Sequence, residues 1–443
     1  MSGEDRARAA AFDLIEAVER DGAYGNLAMP AVLQRHGLSG RDAAFATELA
    51  YGSLRMHRWY DAVIESSAKR EIDSIDPTVR WALWLGVHQW LGMRVAAHAA
   101  VNETVELVRV RTNKGAAGFA NAVMRRVTEA TQAEWEARLQ PSLPVLTSHP
   151  DWVVEALGYA LAADDRADQL SNLLVADNAP ARTTLAARPG LVERDDLLEI
   201  GDPTHFSPWG LQATTPPHVI HEVRSGTVGV QDEGSQLVAA VLAKARPVQA
   251  GERWLDACAG PGGKTAMLAG LSESASVTAL ELHPHRAELV RKALKAFPVG
   301  TVAVEIGDAT SWGEDASFDR VLVDAPCTGL GALRRRPEAR WRKDPADIDE
   351  LATLQSRILD NAVRVVKPGG LIAYVTCSPL LEETRDQIAA RQDVQVVDAR
   401  PVLADIAGTA VGEWGATPDV QMWPHIHGTD AMYLALLQRP SAR

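Results

Sequence analysis

At about 150 residues per domain, a chain of 443 residues has room for roughly two to four domains. Its 46% hydrophobic and 23% charged residues are ordinary for a globular protein and exclude a disordered, collagenous or disulfide-rich chain. No apolar run approaches the ~20 residues of a membrane span, and the opening MSGEDRARAA lacks the apolar segment and cleavage site of a secretory signal.

A net charge of −13 argues at first against nucleic acid as a partner, but it is unevenly spread. Up to residue 145 there are 17 basic and 18 acidic residues, and after it 28 and 40. Binding follows local potential rather than the total. The densest basic strip is Arg334, Arg335, Arg336, Arg340, Arg342 and Lys343. The three cysteines are too few for a disulfide framework and lack metal-ligand spacing, which points to a cytoplasmic chain with reduced thiols and no metal.

The first 140 residues read as helices. Apolar stripes recur near helical spacing at Phe12, Ile15 and Val18, at Val79, Leu83, Val87 and Leu91, and at Val101, Val105 and Val108. Breakers separate them at Asp21-Gly22, Gly37 to Gly40 and Pro77. Residues 1–145 are therefore expected to form an all-α domain, with 140–144 (QPSLP) as a linker. Helical character resumes over 151–163. Residues 181–187 suit a strand, and 180–230 are expected to form a small mixed α/β subdomain, within a connecting region of 146–235.

From about 250 strands and helices alternate. The β-prone runs are 253–257, 276–281, 301–305, 320–324 and 371–376, with helical stretches such as 285–296 and 346–366 between them. Such alternation implies a parallel sheet covered on both faces, here assigned to 236–443. The runs 394–398 and 431–437 are candidates for the last two strands.

The run 253–257 leads into Cys258-Ala259-Gly260-Pro261-Gly262-Gly263-Lys264-Thr265 and then a helix. Glycines there let the backbone turn tightly and approach a ligand, and a helix start offers free N–H groups. A nucleotide P-loop would need glycine at 258, which is Cys258. A dinucleotide fingerprint starting at Gly260 would need glycine at 265, which is Thr265. S-adenosylmethionine fits better. Glu281, ending the second strand, suits ribose hydroxyls, and Asp308, after the third, suits the adenine edge, because ligands of open α/β sheets lie at strand ends. Either carboxylate alone could be a solvated strand end or a helix cap.

Two further strand ends carry thiols, Cys327 in DAPCTG and Cys377 in TCSP. A lone cysteine is usually a small buried hydrophobe, the reading favoured for Cys258. A Cys327–Cys377 disulfide is disfavoured by the compartment, and zinc lacks further ligands beyond the pairs His283/His285 and His425/His427. A methyl donor beside two thiols suggests methylation of cytosine C5. A thiolate adding to C6 makes C5 nucleophilic, splitting one hard step into two easier ones. A second thiol can assist release, and Asp324 can hold the ring at N3 and N4. The base must be single-stranded or flipped out.

LDACAGPGGKT, VLVDAPCTGLG, VKPGG and TCSP resemble the Nol/Nop/Sun family of RNA cytosine-C5 methyltransferases. RDAAFATELAYGSLR (41–55), LGVHQW (85–90) and AGFANAVMRR (117–126) resemble the NusB-like RNA-binding domain. In this order, over about 5–437, they resemble the bacterial small-subunit rRNA branch of the family, the Sun/Fmu type.

The resemblance implies a NusB-like helical domain, a linker subdomain and a Rossmann-like class I methyltransferase domain. It also implies contacts from Cys258 to Lys264 with the cofactor, Glu281 on its ribose, Asp308 on its adenine, and Asp324 between cofactor and base. Cys377 would be the nucleophile and Cys327 the residue aiding release; the chemistry alone leaves that order open. Arg334, Arg335 and Arg336 would contact RNA phosphates, which position without reading sequence; otherwise the strip is a solvated loop with Trp341 anchoring it. Three stretches depart from the family pattern: Leu381-Glu-Glu-Thr384 lacks a side-chain amide, Asp430-Ala-Met-Tyr433 replaces a more aromatic run, and Glu281 stands where Asp is common.

The expectation is a monomeric enzyme forming 5-methylcytidine in 16S rRNA. A tRNA substrate, or a non-catalytic NusB-like assembly factor, are the alternatives.

Overall fold

The computed structural model describes residues 5–272 and 274–441. The chain divides into two compact units. The first holds residues up to Glu155 with Leu174–Ala179 and Leu333–Arg342; the second holds Ala156–Leu173, Pro180–Ala332 and the chain from Lys343 onward.

The first unit is built on α1 (Arg6–Glu19), α2 (Gly25–His36), α3 (Gly40–Ala68), α4 (Pro77–Leu91), α5 (Ala97–Arg111), α6 (Lys114–Val127), α7 (Gln132–Leu139) and α8 (Leu143–Leu146). The apolar stripes meet in one core, where Phe12, Ile15, Leu83, Val87, Val108 and Val123 are buried. Pro77, expected to separate two helices, does so by opening α4. It occupies the first turn, where its missing N–H costs nothing, and Asp76 caps the Thr78 N–H at 2.9 Å.

The expected linker at 140–144 is likewise drawn into structure. Leu143-Pro144 opens α8, and the following Ser148 and His149 are buried in this unit, with Arg58 donating to the His149 carbonyl. Residues 333–342 complete the same unit. Glu338 accepts from the Gly25 N–H at 3.1 Å, and fully buried Arg340 donates to the Ser148 carbonyl (3.0 Å) and Asn178 Oδ1 (2.9 Å). The Trp341 ring lies 4.5 Å from that of His57.

After α9 (Asp151–Ala162) and α10 (Leu170–Asp177) comes the small subdomain of the second unit. Its strands β1 (Thr184–Ala187), β2 (Gly201–Pro203) and β3 (Gly210–Ala213), the short α11 (His221–Ser225) and β4 (Val228–Val230) make an antiparallel sheet of order β2-β3-β1-β4.

The remainder runs α12 (Glu233–Lys244), β5 (Arg253–Asp256), α13 (Gly263–Leu271), β6 (Ser276–Glu281), α14 (Pro284–Ala293), β7 (Val302–Ile306), β8 (Phe318–Asp324), α15 (Pro345–Val365), β9 (Val366–Thr376), α16 (Arg385–Ala389), β10 (Gln395–Val397), α17 (Arg400–Ala407), β11 (Val420–Gln421), α18 (Pro424–His427) and β12 (Tyr433–Gln438). The main sheet has the order β10-β12-β9-β8-β5-β6-β7. Its strands β9, β8, β5, β6 and β7 are parallel, but β12 runs antiparallel to β9 and β10 to β12. The five strands expected to be parallel are parallel, and the two last runs, for which the sequence set no direction, make the sheet mixed.

Residues alternate between two cores along each strand. Trp254, Leu322, Ala373 and Val375 face α12 and α17; Leu255, Val321, Val323, Ile372 and Tyr374 face α15. Fully buried Arg320 is tied down by Glu252 at 2.9 Å and by the carbonyls of Leu242, Ala243, Arg246 and Pro247. This satisfied cation locks α12 to the strands. Among the described residues no helix is long and apolar enough to cross a membrane.

Candidate active site

The parallel strands β5, β6, β7, β8 and β9 deliver their C-terminal ends to one edge of the second unit. After β5 the chain turns through Cys258–Lys264 into α13. Gly262 takes φ +107°, and a Cβ there would lie 2.7 Å from Ala293 Cβ, so only glycine lets the loop pass this close to α14. A Cβ on Gly260 would lie 2.3 Å from Glu281 Oε2. The bare backbone instead donates its N–H to that oxygen at 3.1 Å.

Glu281 also accepts from the His283 N–H at 3.0 Å, and Arg286 reaches back to the Gly260 carbonyl at 2.8 Å. A carboxylate has about four acceptor positions, so Glu281 retains capacity for hydroxyls of a ligand. Asp308 follows β7, exposed, with Oδ1 accepting from the Thr310 N–H at 2.8 Å. That backbone bond, with the Thr310 hydroxyl, holds its carboxyl below the usual range. The Gly307 N–H donates to the Glu281 carbonyl at 3.2 Å, so the two strand ends are fixed to each other.

Asp256, at the end of β5, was not singled out in the sequence. It is fully buried, takes the Thr265 hydroxyl at 2.7 Å on Oδ2, and leaves Oδ1 without a protein partner. Burial raises its carboxyl to about 7, with Asp324 acting in the same direction and the Thr265 bond against it. Cys258 packs against the core around Leu255 and Leu280, and burial pushes its thiol up, in keeping with a structural cysteine.

An orphaned buried acceptor, a glycine-built loop at a helix start with no side-chain cap, and two carboxylates on successive strand ends fit the polar outline of S-adenosylmethionine.

The thiols lie on the neighbouring strand ends. Asp324 of β8 pairs in register with Val375 of β9, and the chains leaving them bring Cys327 Sγ within 3.4 Å of Cys377 Sγ. Both residues are half-buried. The loops approach closely: the Gly331 N–H donates to the Cys377 carbonyl at 2.9 Å, and a Cβ on Gly331 would lie 2.7 Å from that oxygen.

Lys264, expected only as part of the cofactor loop, crosses to this side. Its Nζ is 2.8 Å from Asp324 Oδ2. Burial alone would lower its ammonium, but Asp324, with Cys377 and Asp256 beyond it, outweighs that and raises it. Cys327 is raised well above a normal thiol, first by its hydrogen bond with Cys377, then by burial and the nearby Cys377 and Glu383 charges. The pair therefore carries one proton more readily than none.

Behind Cys327 stands a network missed in the sequence. Glu383, fully buried, accepts from the Thr328 N–H (2.7 Å), the Thr328 hydroxyl (2.6 Å) and Gln355 Nε2 (3.1 Å). The only available signal was the pair of glutamates following TCSP. The last strand closes the site in full register, from Tyr433 opposite Thr376 to Gln438 opposite Leu371, with Tyr433 buried.

Arg334, Arg335 and Arg336 lie in the 333–342 segment of the helical unit, the first two half-buried and Arg336 exposed. Among the described residues no cluster of three or more His, Cys, Asp or Glu could hold a metal ion.

Residues 243–438 match the family model described as 16S rRNA methyltransferase RsmB/F, and residues 5–129 match the NusB family. A Mycobacterium tuberculosis protein named only as a methyltransferase is 44% identical, over 98% of this chain and 97% of its own length. The ribosomal RNA small subunit methyltransferase B of Vibrio cholerae is 30% identical, over 97% of this chain and 96% of its own. The crystal structure of PH0851 shares the fold with a TM-score of 0.77 at 21% identity, covering 99% of this chain and all of that one.

Proposed function

This chain belongs to the 16S rRNA methyltransferase RsmB/F family of S-adenosylmethionine-dependent RNA methyltransferases, and we propose that it forms 5-methylcytidine in 16S rRNA through a covalent thiolate adduct. The observation that carries the reading is the approach of Cys327 and Cys377 to 3.4 Å at adjacent strand ends, beside the Lys264–Asp324 ion pair.

In this mechanism Cys377 Sγ adds to C6 of a cytosine that has left its stack. The C5–C6 double bond opens and C5 becomes the nucleophilic carbon, while Asp324 accepts from the N4 amino group and from N3, which the addition has made basic enough to take a proton from solvent. Bound at Cys258–Lys264, Glu281 and Asp308, S-adenosylmethionine supplies an electrophilic methyl group. The C5 proton then leaves to solvent, the double bond re-forms, and the Cys377 sulfur leaves with the electron pair of its bond to C6, its negative charge taken up by the hydrogen bond from the Cys327 S–H. Lys264 stabilises negative charge on Asp324 and on Cys377 throughout.

Residues 1–145 hold RNA, 146–235 form the connecting helix and small α/β subdomain, 236–443 perform the transfer, and Arg334, Arg335 and Arg336 grip phosphates. The working form is a cytoplasmic monomer.

The test supplies methyl-labelled cofactor with unmodified 16S rRNA, and tRNA in parallel, followed by nucleoside analysis. The expected result is label as 5-methylcytidine in 16S rRNA only. Label in tRNA, or in another nucleoside, would overturn the proposed substrate or the proposed chemistry respectively.

A further inference from the structure

The two thiols are chemically identical, yet the residues that follow and flank them are not. Lys264 from α13 pairs with Asp324, at the end of the strand next to the one that leads to Cys377, at 2.8 Å, and Cys377 helps to raise its ammonium. Beside Cys327 stands the Glu383 carboxylate, which takes the N–H of the next residue, Thr328, at 2.7 Å and helps to raise the Cys327 thiol. The two glutamates after TCSP part company: Glu382 is exposed, whereas Glu383 turns inward and is fully buried.

Every side-chain contact of Glu383 comes from a donor. The Thr328 N–H, the Thr328 hydroxyl and the Gln355 amide all point to it, the pattern an ionised carboxylate requires. The Thr328 hydroxyl has one proton, spent on Glu383 at 2.6 Å, so the Ser378 hydroxyl 3.1 Å away is the donor to Thr328. Thr328 follows Cys327 and Ser378 follows Cys377, so this donor chain joins both thiol-bearing loops and ends on one buried charge. Gln355 of α15 also donates to the Pro326 carbonyl at 2.9 Å, and Tyr374 of β9 to the Glu383 carbonyl at 2.8 Å, fixing the loop from both sides.

We propose that Glu383 is a positioning residue whose buried charge keeps the proton of the thiol pair on Cys327 and so leaves Cys377 as the thiolate. The inference rests on the thiolate mechanism proposed above and adds the device that breaks the symmetry of the pair. Cys327 then donates its S–H to the Cys377 sulfur in the resting enzyme. The charged and titratable groups acting on the pair are Cys377, Glu383 and Tyr374 around Cys327, with Lys264 and Asp324 on the Cys377 side and Asp256 and Cys258 behind the cofactor loop.

Alkylation by iodoacetamide, followed for each cysteine peptide of the full-length protein from pH 6 to 10, tests this without RNA. In the unaltered protein Cys377 is expected to label at lower pH than Cys327. Equal labelling would sink the thiolate reading itself. In Glu383→Gln, whose amide fills the same space, Cys327 labelling at pH 8 is expected to rise about tenfold for each pH unit its titration falls, and Cys377 labelling to drop. An unchanged Cys327 profile in the folded variant would overturn the role of Glu383 alone.

Thr328→Val loosens the same loop but keeps the charge, and it is expected to preserve the order of labelling. A shift of both profiles there equal to that of Glu383→Gln would overturn the proposal in favour of packing rather than charge. Should Glu383→Gln lose its native melting transition, Glu383→Asp carries the test: withdrawing the charge by one methylene narrows the gap partway, and an unaltered gap overturns the proposal.

Discussion

Glu281 and Asp308 are held mostly by backbone donors, from Gly260 and His283 for the one and Thr310 for the other. The loops carrying Cys327 and Cys377 are braced by side chains from α13, α15 and the turn before α16: Lys264 pairs with Asp324, Gln355 donates to Glu383 and to the Pro326 carbonyl, and Glu383 takes the Thr328 N–H and hydroxyl. The cofactor side is thus a property of strand ends and glycine turns, where a main chain of fixed shape presents the carboxylates. The thiol side is a buried polar network in which each member depends on the others being satisfied. Such networks respond to single deletions more sharply than backbone-held groups do.

The largest expected effect falls on the thiol side. Cys377→Ala is expected to abolish methyl transfer. Cys327→Ala is expected to add to the base yet fail to release it, so that a protein–RNA adduct accumulates on a denaturing gel. An adduct formed by the Cys377→Ala variant instead would exchange the two roles and break the asymmetry between the thiols.

The cofactor side is expected to respond less. Losing a charge-assisted hydrogen bond costs about 1.5–3 kcal/mol, so Glu281→Ala is expected to weaken S-adenosylmethionine binding about ten- to a hundredfold in calorimetry. Exposed Asp308→Ala is expected to change it only a few-fold. A larger loss at Asp308 would show that exposure is a poor guide to the adenine end of the site.

The smallest effect sharpens the boundary between the two sides, where Asp256 sits. Its carboxyl stays protonated in the fold up to about pH 7, whereas in the unfolded chain it ionises near 3.8. Between those values the unfolded state releases a proton that the folded state keeps, so this group's contribution to stability falls as pH rises from about 4 to 7 and levels off above. Melting of ligand-free Asp256→Asn is therefore expected to depend less on pH across that window than melting of the unaltered protein. Parallel curves would mean that Asp256 ionises freely in the fold.

Much of this architecture is local and could be read from the chain. Residues 276–281 form the expected strand with the same limits, 320–324 lie within β8, and the helix expected at 346–366 is α15 at Pro345–Val365. The motif residues of the site also gather at one sheet edge, because a parallel strand followed by a turn can point only that way. Strand direction at the end of the chain was a different matter. The runs at 394–398 and 431–437 look like their parallel neighbours, and only pairing with β9 reveals that β12 runs the other way. Residues 140–144 looked like a linker because proline and serine signal turns, although proline also suits a first helical turn, the place Pro144 takes in α8.

The sequence by itself determined which chemistry is possible: a glycine turn, carboxylates at strand ends and two thiols after neighbouring strands. Tertiary structure alone decided the environments of those groups. Lys264 belongs by sequence to the cofactor loop, yet its ammonium pairs with Asp324 sixty residues away. Glu382 and Glu383 are the same residue side by side, and only one is buried against Thr328 and Gln355. Burial and field are set by whatever distant segments pack around a side chain, and so they cannot be written in the few residues that flank it.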